Sequence, residues 1–118
     1  MNTTGMLKEG SLKNKTILIT GGGTGLGKSM GKYFMELGAN LIITSRKQEV
    51  LNATAMEFDT YSGKVLPIAG DVRIANEVEN IINQGVEKFG QIDGLINNAA
   101  GNFISPTERL STKAFDVI

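Results

Sequence analysis

A run of glycines at the junction of a strand pattern and a helix pattern constrains this chain more than any other feature. Thr16-Ile17-Leu18-Ile19-Thr20 is short, β-branched and apolar, the pattern of a buried parallel strand. It stops abruptly at Gly21-Gly22-Gly23-Thr24-Gly25-Leu26-Gly27. From Lys28 the apolar spacing becomes helical, with Met30, Tyr33, Phe34 and Leu37 at i, i+3, i+4 and i+7 and Gly38 as the stop. Glycines between a strand and a helix let the backbone turn sharply and approach a ligand without Cβ obstruction, while free N–H groups at the helix start favour an anion. A flexible turn without function is the bland alternative, and the correct flanking elements argue against it. A dinucleotide pyrophosphate is the anion that this arrangement suits.

The remaining pattern repeats the alternation. Leu41-Ile42-Ile43-Thr44 reads as a second strand, and Val50, Leu51, Thr54, Ala55 and Phe58 as the inward face of a second helix that fades at Ser62-Gly63. Lys64 to Ala69 reads as a third strand, although Pro67 cannot donate to a central ladder. Val78, Ile81, Ile82, Gly85, Val86 and Phe89 form the stripe of a third helix closed by Gly90, and Ile92 to Asn97 a fourth strand. Such alternation specifies βαβ units and a parallel sheet, and with the glycine turn after its first strand it reads as an α/β, Rossmann-type sheet, for which the order expected here is 3-2-1-4. Residues 1–11 read as a flexible lead and 12–118 as one incomplete dinucleotide-binding Rossmann half-domain. A further helix is expected after Pro106, with Ser111 as N-cap and Phe115 and Ile118 inward, which suggests a truncated domain.

Composition narrows the function by exclusion. With neither cysteine nor histidine in 118 residues, the chain has no disulfide, no Ser-His-Asp triad and no zinc site of the His/Cys type, so no metal is expected. Twelve basic residues balance twelve acidic ones, so no net field draws it to nucleic acid or a membrane. There is neither a membrane-length apolar run nor the apolar core of a signal peptide at the N-terminus, and a cytoplasmic location is the expectation.

Two further clusters carry chemistry. An NAD-binding site places an acidic residue after the second strand to grip the ribose 2′-hydroxyl. Here Ser45-Arg46-Lys47 stand there instead. Ser45 and Gln48 fit an S-x-x-Q capping box, which accounts for Ser45 but not for the two cations. Cations in a first helical turn oppose the macrodipole by about 0.3–1 kcal/mol each, and a bound 2′-phosphate reverses that penalty. NADP is therefore favoured over NAD. At the end of the fourth strand, Asn97-Asn98-Ala99-Ala100-Gly101 lies where the crevice of a 3-2-1-4 sheet opens. Small residues there admit a ribose and nicotinamide; a tight left-handed turn is the alternative.

Thr20-Gly21-xxx-Gly25-x-Gly27, Asp71-Val72 after the third strand and Asn97-Asn98-Ala99-Ala100-Gly101 together resemble the short-chain dehydrogenase/reductase superfamily, from about Leu12 onward. Within it, Asn98-Ala99-Ala100-Gly101-Asn102-Phe103-Ile104-Ser105-Pro106-Thr107-Glu108-Arg109-Leu110-Ser111 is similar to the 2,4-dienoyl-CoA reductases, as are Ser45-Arg46-Lys47 and Asp71-Val72-Arg73. That resemblance implies NADPH-dependent reduction of a dienoyl-CoA thioester in unsaturated fatty-acid degradation, by a homo-oligomer, expected to be a tetramer. It implies cofactor contacts at Gly21, Gly22, Gly23, Thr24, Gly25, Leu26 and Gly27 along the pyrophosphate, Arg46 with Ser45 and Lys47 at the adenosine phosphate, and Asp71 and Val72 at the adenine. Asn98, Ala99, Ala100 and Gly101 complete that set. Arg73, Phe103 and Ser111 match positions that contact the acyl-CoA, and Asn102 a catalytic asparagine that binds the thioester oxygen. As residues alone, Arg73 is equally a solvated charge, Phe103 a core plug and Ser111 a helix cap.

The superfamily's Tyr-x-x-x-Lys is missing. Tyr33 and Tyr61 are the only tyrosines, and neither has lysine four residues on. These 118 residues are therefore expected to be inactive alone. Another short-chain reductase acting on a 3-oxoacyl thioester or ketone, or a non-catalytic NADP-binding half-domain, are the other readings left open.

Overall fold

The computed structural model of the chain describes residues 10–98. Four parallel strands form one sheet in the order β3-β2-β1-β4: β1 (Thr16–Thr20), β2 (Asn40–Ser45), β3 (Val65–Ala69) and β4 (Gly94–Asn97). Helices α1 (Gly25–Glu36), α2 (Gln48–Glu57) and α3 (Ala75–Phe89) supply the crossovers, and a single 3-10 turn, Phe58–Thr60, extends α2. The Rossmann-type α/β fold and strand order read from the sequence are those observed.

Alternation along the central strands divides the core in two, because neighbouring residues of a strand point to opposite faces. Ile17, Ile19, Leu41 and Ile43 pack with Met35, Leu51 and Phe58 from the α1/α2 side. Leu18, Ile42 and Ile68 pack with Val78, Ile81 and Ile82 of α3 and with Ile92. All five residues of β1 are buried, as a central parallel strand requires. Register is pinned at the start of β1, where the buried Thr16 donates its N–H to Asp93 Oδ2 (2.8 Å) and accepts the Asp93 N–H (2.8 Å). Asp93→Ala leaves that N–H unpaired, and a loss of about 1–3 kcal/mol in unfolding free energy is expected by denaturant titration of the complete protein. An unchanged midpoint would mean that water replaces the carboxylate.

The helix boundaries depart from the sequence reading in informative ways. Helix α1 begins at Gly25, not Lys28, and its buried line is Gly27, Gly31 and Met35. Met30, Tyr33 and Phe34, expected inward, are only half-buried on its flank. Counting apolar side chains misses a helix that approaches the sheet through glycines. Gly38 does supply the stop, at φ +95° with its N–H on the Met35 carbonyl (3.0 Å). Arg46 and Lys47 precede α2 rather than occupying its first turn, which starts at Gln48. The α3 stripe is as expected, with Val78, Ile81, Ile82 and Gly85 buried.

Pro67 has a place in this sheet because β3 is an edge. Lys64 accepts the Leu41 N–H and Gly70 donates to the Ser45 carbonyl, so residues 64 and 70 turn their backbone towards β2. Residue 67 belongs to the opposite alternation and faces outward, where a missing N–H breaks no ladder bond.

Candidate functional site

The carboxyl ends of β1, β2 and β3 surround a cleft of about 560 Å³ lined by Gly21, Thr24, Thr44, Ser45, Arg46, Gly70, Asp71, Val72, Arg73 and Asn98. A second hollow of about 350 Å³ adjoins it, sharing Gly21, Thr24, Ser45 and Arg46 and adding Gly23, Lys47 and Val50. The fold thus brings together ten of the residues predicted from sequence. Of the remaining predicted glycine-turn residues, Gly22 and Gly27 are buried beneath the turn, while Gly25 and Leu26 are exposed at the start of α1. Ala99, Ala100, Gly101, Asn102, Phe103 and Ser111 lie outside the described residues.

The glycine turn is held from three sides. Gly21 and Gly22 both donate their N–H to the Thr44 carbonyl at the end of β2 (2.8 and 3.4 Å). Gly23 accepts the buried Thr54 hydroxyl from α2 (2.7 Å). Asn98 donates its side-chain Nδ2 to the Gly21 carbonyl (3.4 Å) and its backbone N–H to Thr20 Oγ1 (2.9 Å). The Thr20 hydroxyl in turn donates to Asn97 Oδ1 (3.1 Å). The amides of Gly21 and Gly22 are engaged, and those of Gly25, Leu26 and Gly27, in the first turn of α1, have no preceding helical carbonyl to bond. Gly27 is obligatory for this packing: a Cβ there would overlap the Gly21 carbonyl oxygen and lie 2.8 Å from Asn98 Nδ2.

The far lip of the cleft is a tight turn built on Asp71. Its carboxylate accepts the Arg73 backbone N–H (2.9 Å), Arg73 Nε (3.0 Å) and Arg73 Nη2 (2.9 Å). Its own N–H goes to Glu77 Oε1 in the first turn of α3 (2.6 Å). The Arg73 guanidinium and backbone N–H hold the Asp71 carboxyl down to about 2, with a smaller contribution from the positive charge of Arg46. Asp71 in turn pushes Arg73 further above its usual range. The pair lies near the surface, with 55 % of the Arg73 side chain exposed, so it contributes little to stability. Because the folded value is depressed, what it contributes is present above about pH 4 and is lost as pH falls through about 2. Arg73→Gln is expected to move the Asp71 midpoint up towards 3.8, read by carboxyl NMR titration. A midpoint still near 2 would show that the turn amides alone depress it.

No acidic residue stands at the end of β2, and exposed Arg46 lines both hollows. Val72, 8 % exposed, gives the cleft an apolar wall. Beside it the Thr44 hydroxyl is buried with no hydrogen-bond partner among the described residues, a vacancy in bonding rare enough to point to function. A cradle that only glycine permits, a cationic lip and an orphaned hydroxyl together suit a dinucleotide.

The capping box does not form. Ser45 Oγ accepts the Lys47 N–H instead (3.3 Å), and Gln48 turns away to β3. The sequence reading did not place Thr20, Thr44 or Thr54 among the site residues; the Thr20 hydroxyl reaches Asn97 Oδ1, 77 residues on, and the Thr54 hydroxyl the Gly23 backbone carbonyl, 31 residues back. Their only local sign was threonine within otherwise aliphatic runs. Among the described residues no group of acidic side chains is suited to a metal ion, and no helix is long and apolar enough to cross a membrane.

The short chain dehydrogenase family pattern matches residues 15–118. A probable 2,4-dienoyl-CoA reductase of Bacillus subtilis (strain 168) is 40 % identical over 107 residues, covering 91 % of this chain and 42 % of that protein. A probable 2,4-dienoyl-CoA reductase 3 of Caenorhabditis elegans is 43 % identical over 115 residues, covering 96 % of this chain and 37 % of its own length. A crystal structure of a short chain dehydrogenase from Bacillus anthracis superposes with a TM-score of 0.71 at 46 % identity, over 84 % of this chain and 40 % of that one. The chain thus spans about two-fifths of the length of these relatives.

Proposed function

The chain belongs to the short-chain dehydrogenase family, and from that premise we propose that it forms the cofactor-binding part of an NADPH-dependent 2,4-dienoyl-CoA reductase. The observation that carries the cofactor assignment is Arg46, which lines both hollows at a strand end without a carboxylate. The relatives named as dienoyl-CoA reductases support the substrate class.

In this reading the first-turn amides of α1 hold the pyrophosphate, where the helix macrodipole favours negative charge. Arg46 and Lys47 take the adenosine 2′-phosphate through charge-assisted hydrogen bonds. Val72 packs against the adenine and Asp71 accepts its amino group. Asn98, with Ala99, Ala100 and Gly101 after it, leaves room beyond β4 for the nicotinamide ribose. Bound NADPH supplies the hydride. Asn102 holds the thioester oxygen as negative charge develops on it, and Arg73, Phe103 and Ser111 receive the acyl-CoA.

Steady-state assays of the complete protein with a 2,4-dienoyl-CoA test this directly. Consumption of NADPH in preference to NADH is expected. Turnover of a 3-oxoacyl thioester with no reduction of the dienoyl thioester would overturn the substrate assignment while leaving the family intact.

A further inference from the structure

We propose that Gln48 is a positioning residue for cofactor discrimination, pinning the Arg46–Lys47 segment to the end of β3 so that both cations stand ready for a 2′-phosphate. The inference rests on the NADPH reading above and deepens it.

The geometry is a closed bight. The outer edge of β3 offers the Pro67 carbonyl and the Ala69 N–H to whatever lies beyond it. The Gln48 carboxamide takes both: its Oε1 accepts the Ala69 N–H (3.0 Å) and its Nε2 donates to the Pro67 carbonyl (3.3 Å). The same Nε2 also donates to Asn52 Oδ1 (2.8 Å), one helical turn on, which orients the amide. On the inner edge, the amide just past the end of β3, Gly70 N–H, is held by the Ser45 carbonyl (2.8 Å). Two consecutive amides at the end of β3, those of Ala69 and Gly70, therefore grip the two ends of Ser45–Gln48, with Arg46 and Lys47 between them. Ser45 Oγ tightens the loop by accepting the Lys47 N–H (3.3 Å).

The strand end that anchors this bight runs straight into Asp71 on the opposite lip of the cleft. Gln48 thus fixes the cationic lip relative to the adenine lip. It carries no charge, so its removal leaves the field at the phosphate unchanged and alters only the order of the segment that bears Arg46 and Lys47. Ordering that segment on binding would then have to be offset by the cofactor contacts. The cost falls on the contact the segment makes, which is the 2′-phosphate that NADH lacks.

The test uses Gln48→Met in the complete protein, with NADPH and NADH titrated by intrinsic or cofactor fluorescence and the melting temperature recorded. NADPH is expected to bind about three- to ten-fold more weakly and NADH within about two-fold of wild type. Asn52→Ala, which removes the group orienting the Gln48 amide, is expected to shift the same ratio in the same direction by about two-fold. Unchanged NADPH affinity in Gln48→Met, or equal weakening of both cofactors, overturns the inference and leaves Gln48 as a cover for the sheet edge. Arg46→Ala separates the two levels. Loss of discrimination there, with Gln48→Met still discriminating as wild type does, keeps the NADPH reading and sinks this inference. Wild-type protein that binds both cofactors alike sinks both.

Discussion

Arg46→Asp in the complete protein is expected to turn the cofactor preference from NADPH towards NADH, changing the ratio of kcat/KM values by about 10- to 100-fold. Two effects act together. A charge-assisted contact to the 2′-phosphate is worth about 1.5–3 kcal/mol and disappears with the guanidinium. The new carboxylate repels the phosphate of NADPH but accepts the ribose 2′-hydroxyl of NADH, the arrangement that NAD-binding sheets of this order use. The position is suited to the exchange because Arg46 is exposed and makes no hydrogen bond that holds the fold together among those described above, so the variant is expected to melt near the wild-type temperature. Steady-state kinetics with each cofactor read the ratio. If the ratio does not move, the adenosine phosphate lies elsewhere and Arg46 is surface decoration.

The parts of this site that could be read from sequence are those whose causes are local. The strand Thr16–Thr20, the glycine turn and the helix behind it are adjacent in the chain, and the turn makes physical sense only between those two neighbours. The parallel sheet was legible in the alternation of elements, and its order came with the Rossmann type that the glycine turn marks. Pro67 counted against the third strand in the sequence, and the fold resolves the conflict by placing β3 at the edge of the described sheet. What escaped was set by contacts between residues distant in sequence. Gln48 fitted a four-residue capping box with Ser45, but an exposed amide near a strand end found better partners at Pro67 and Ala69. Thr54 looked like one more inward residue of a helix, and only the fold brings its hydroxyl to Gly23. The inward face of α1 was misread for a related reason: Gly27 and Gly31 have no side chain to register in an apolar period, yet they define where the helix meets the sheet.

Asn102→Ala is expected to have the largest effect on chemistry, lowering kcat on a dienoyl-CoA by about 100-fold or more in the complete protein. Adding a hydride to the conjugated thioester delivers an electron pair that ends on the thioester oxygen, so a donor fixed at that oxygen interacts more strongly with the transition state than with the substrate. A carboxamide can donate without itself titrating, so the loss is expected to be uniform across pH rather than confined to one limb of the profile. Asn98, four residues earlier, is tied to Thr20 and Gly21 at the crevice. In the proposed reading cofactor affinity rests on that earlier network and on Arg46, and is expected to stay within about two-fold in Asn102→Ala, since an oxygen contact made in the transition state leaves ground-state cofactor binding untouched. The two readouts separate the roles: a fall in kcat with NADPH affinity retained assigns Asn102 to the reacting thioester. Near-normal kcat removes it from the chemistry, and a parallel loss of NADPH binding would make it part of the loop that shapes the cofactor site.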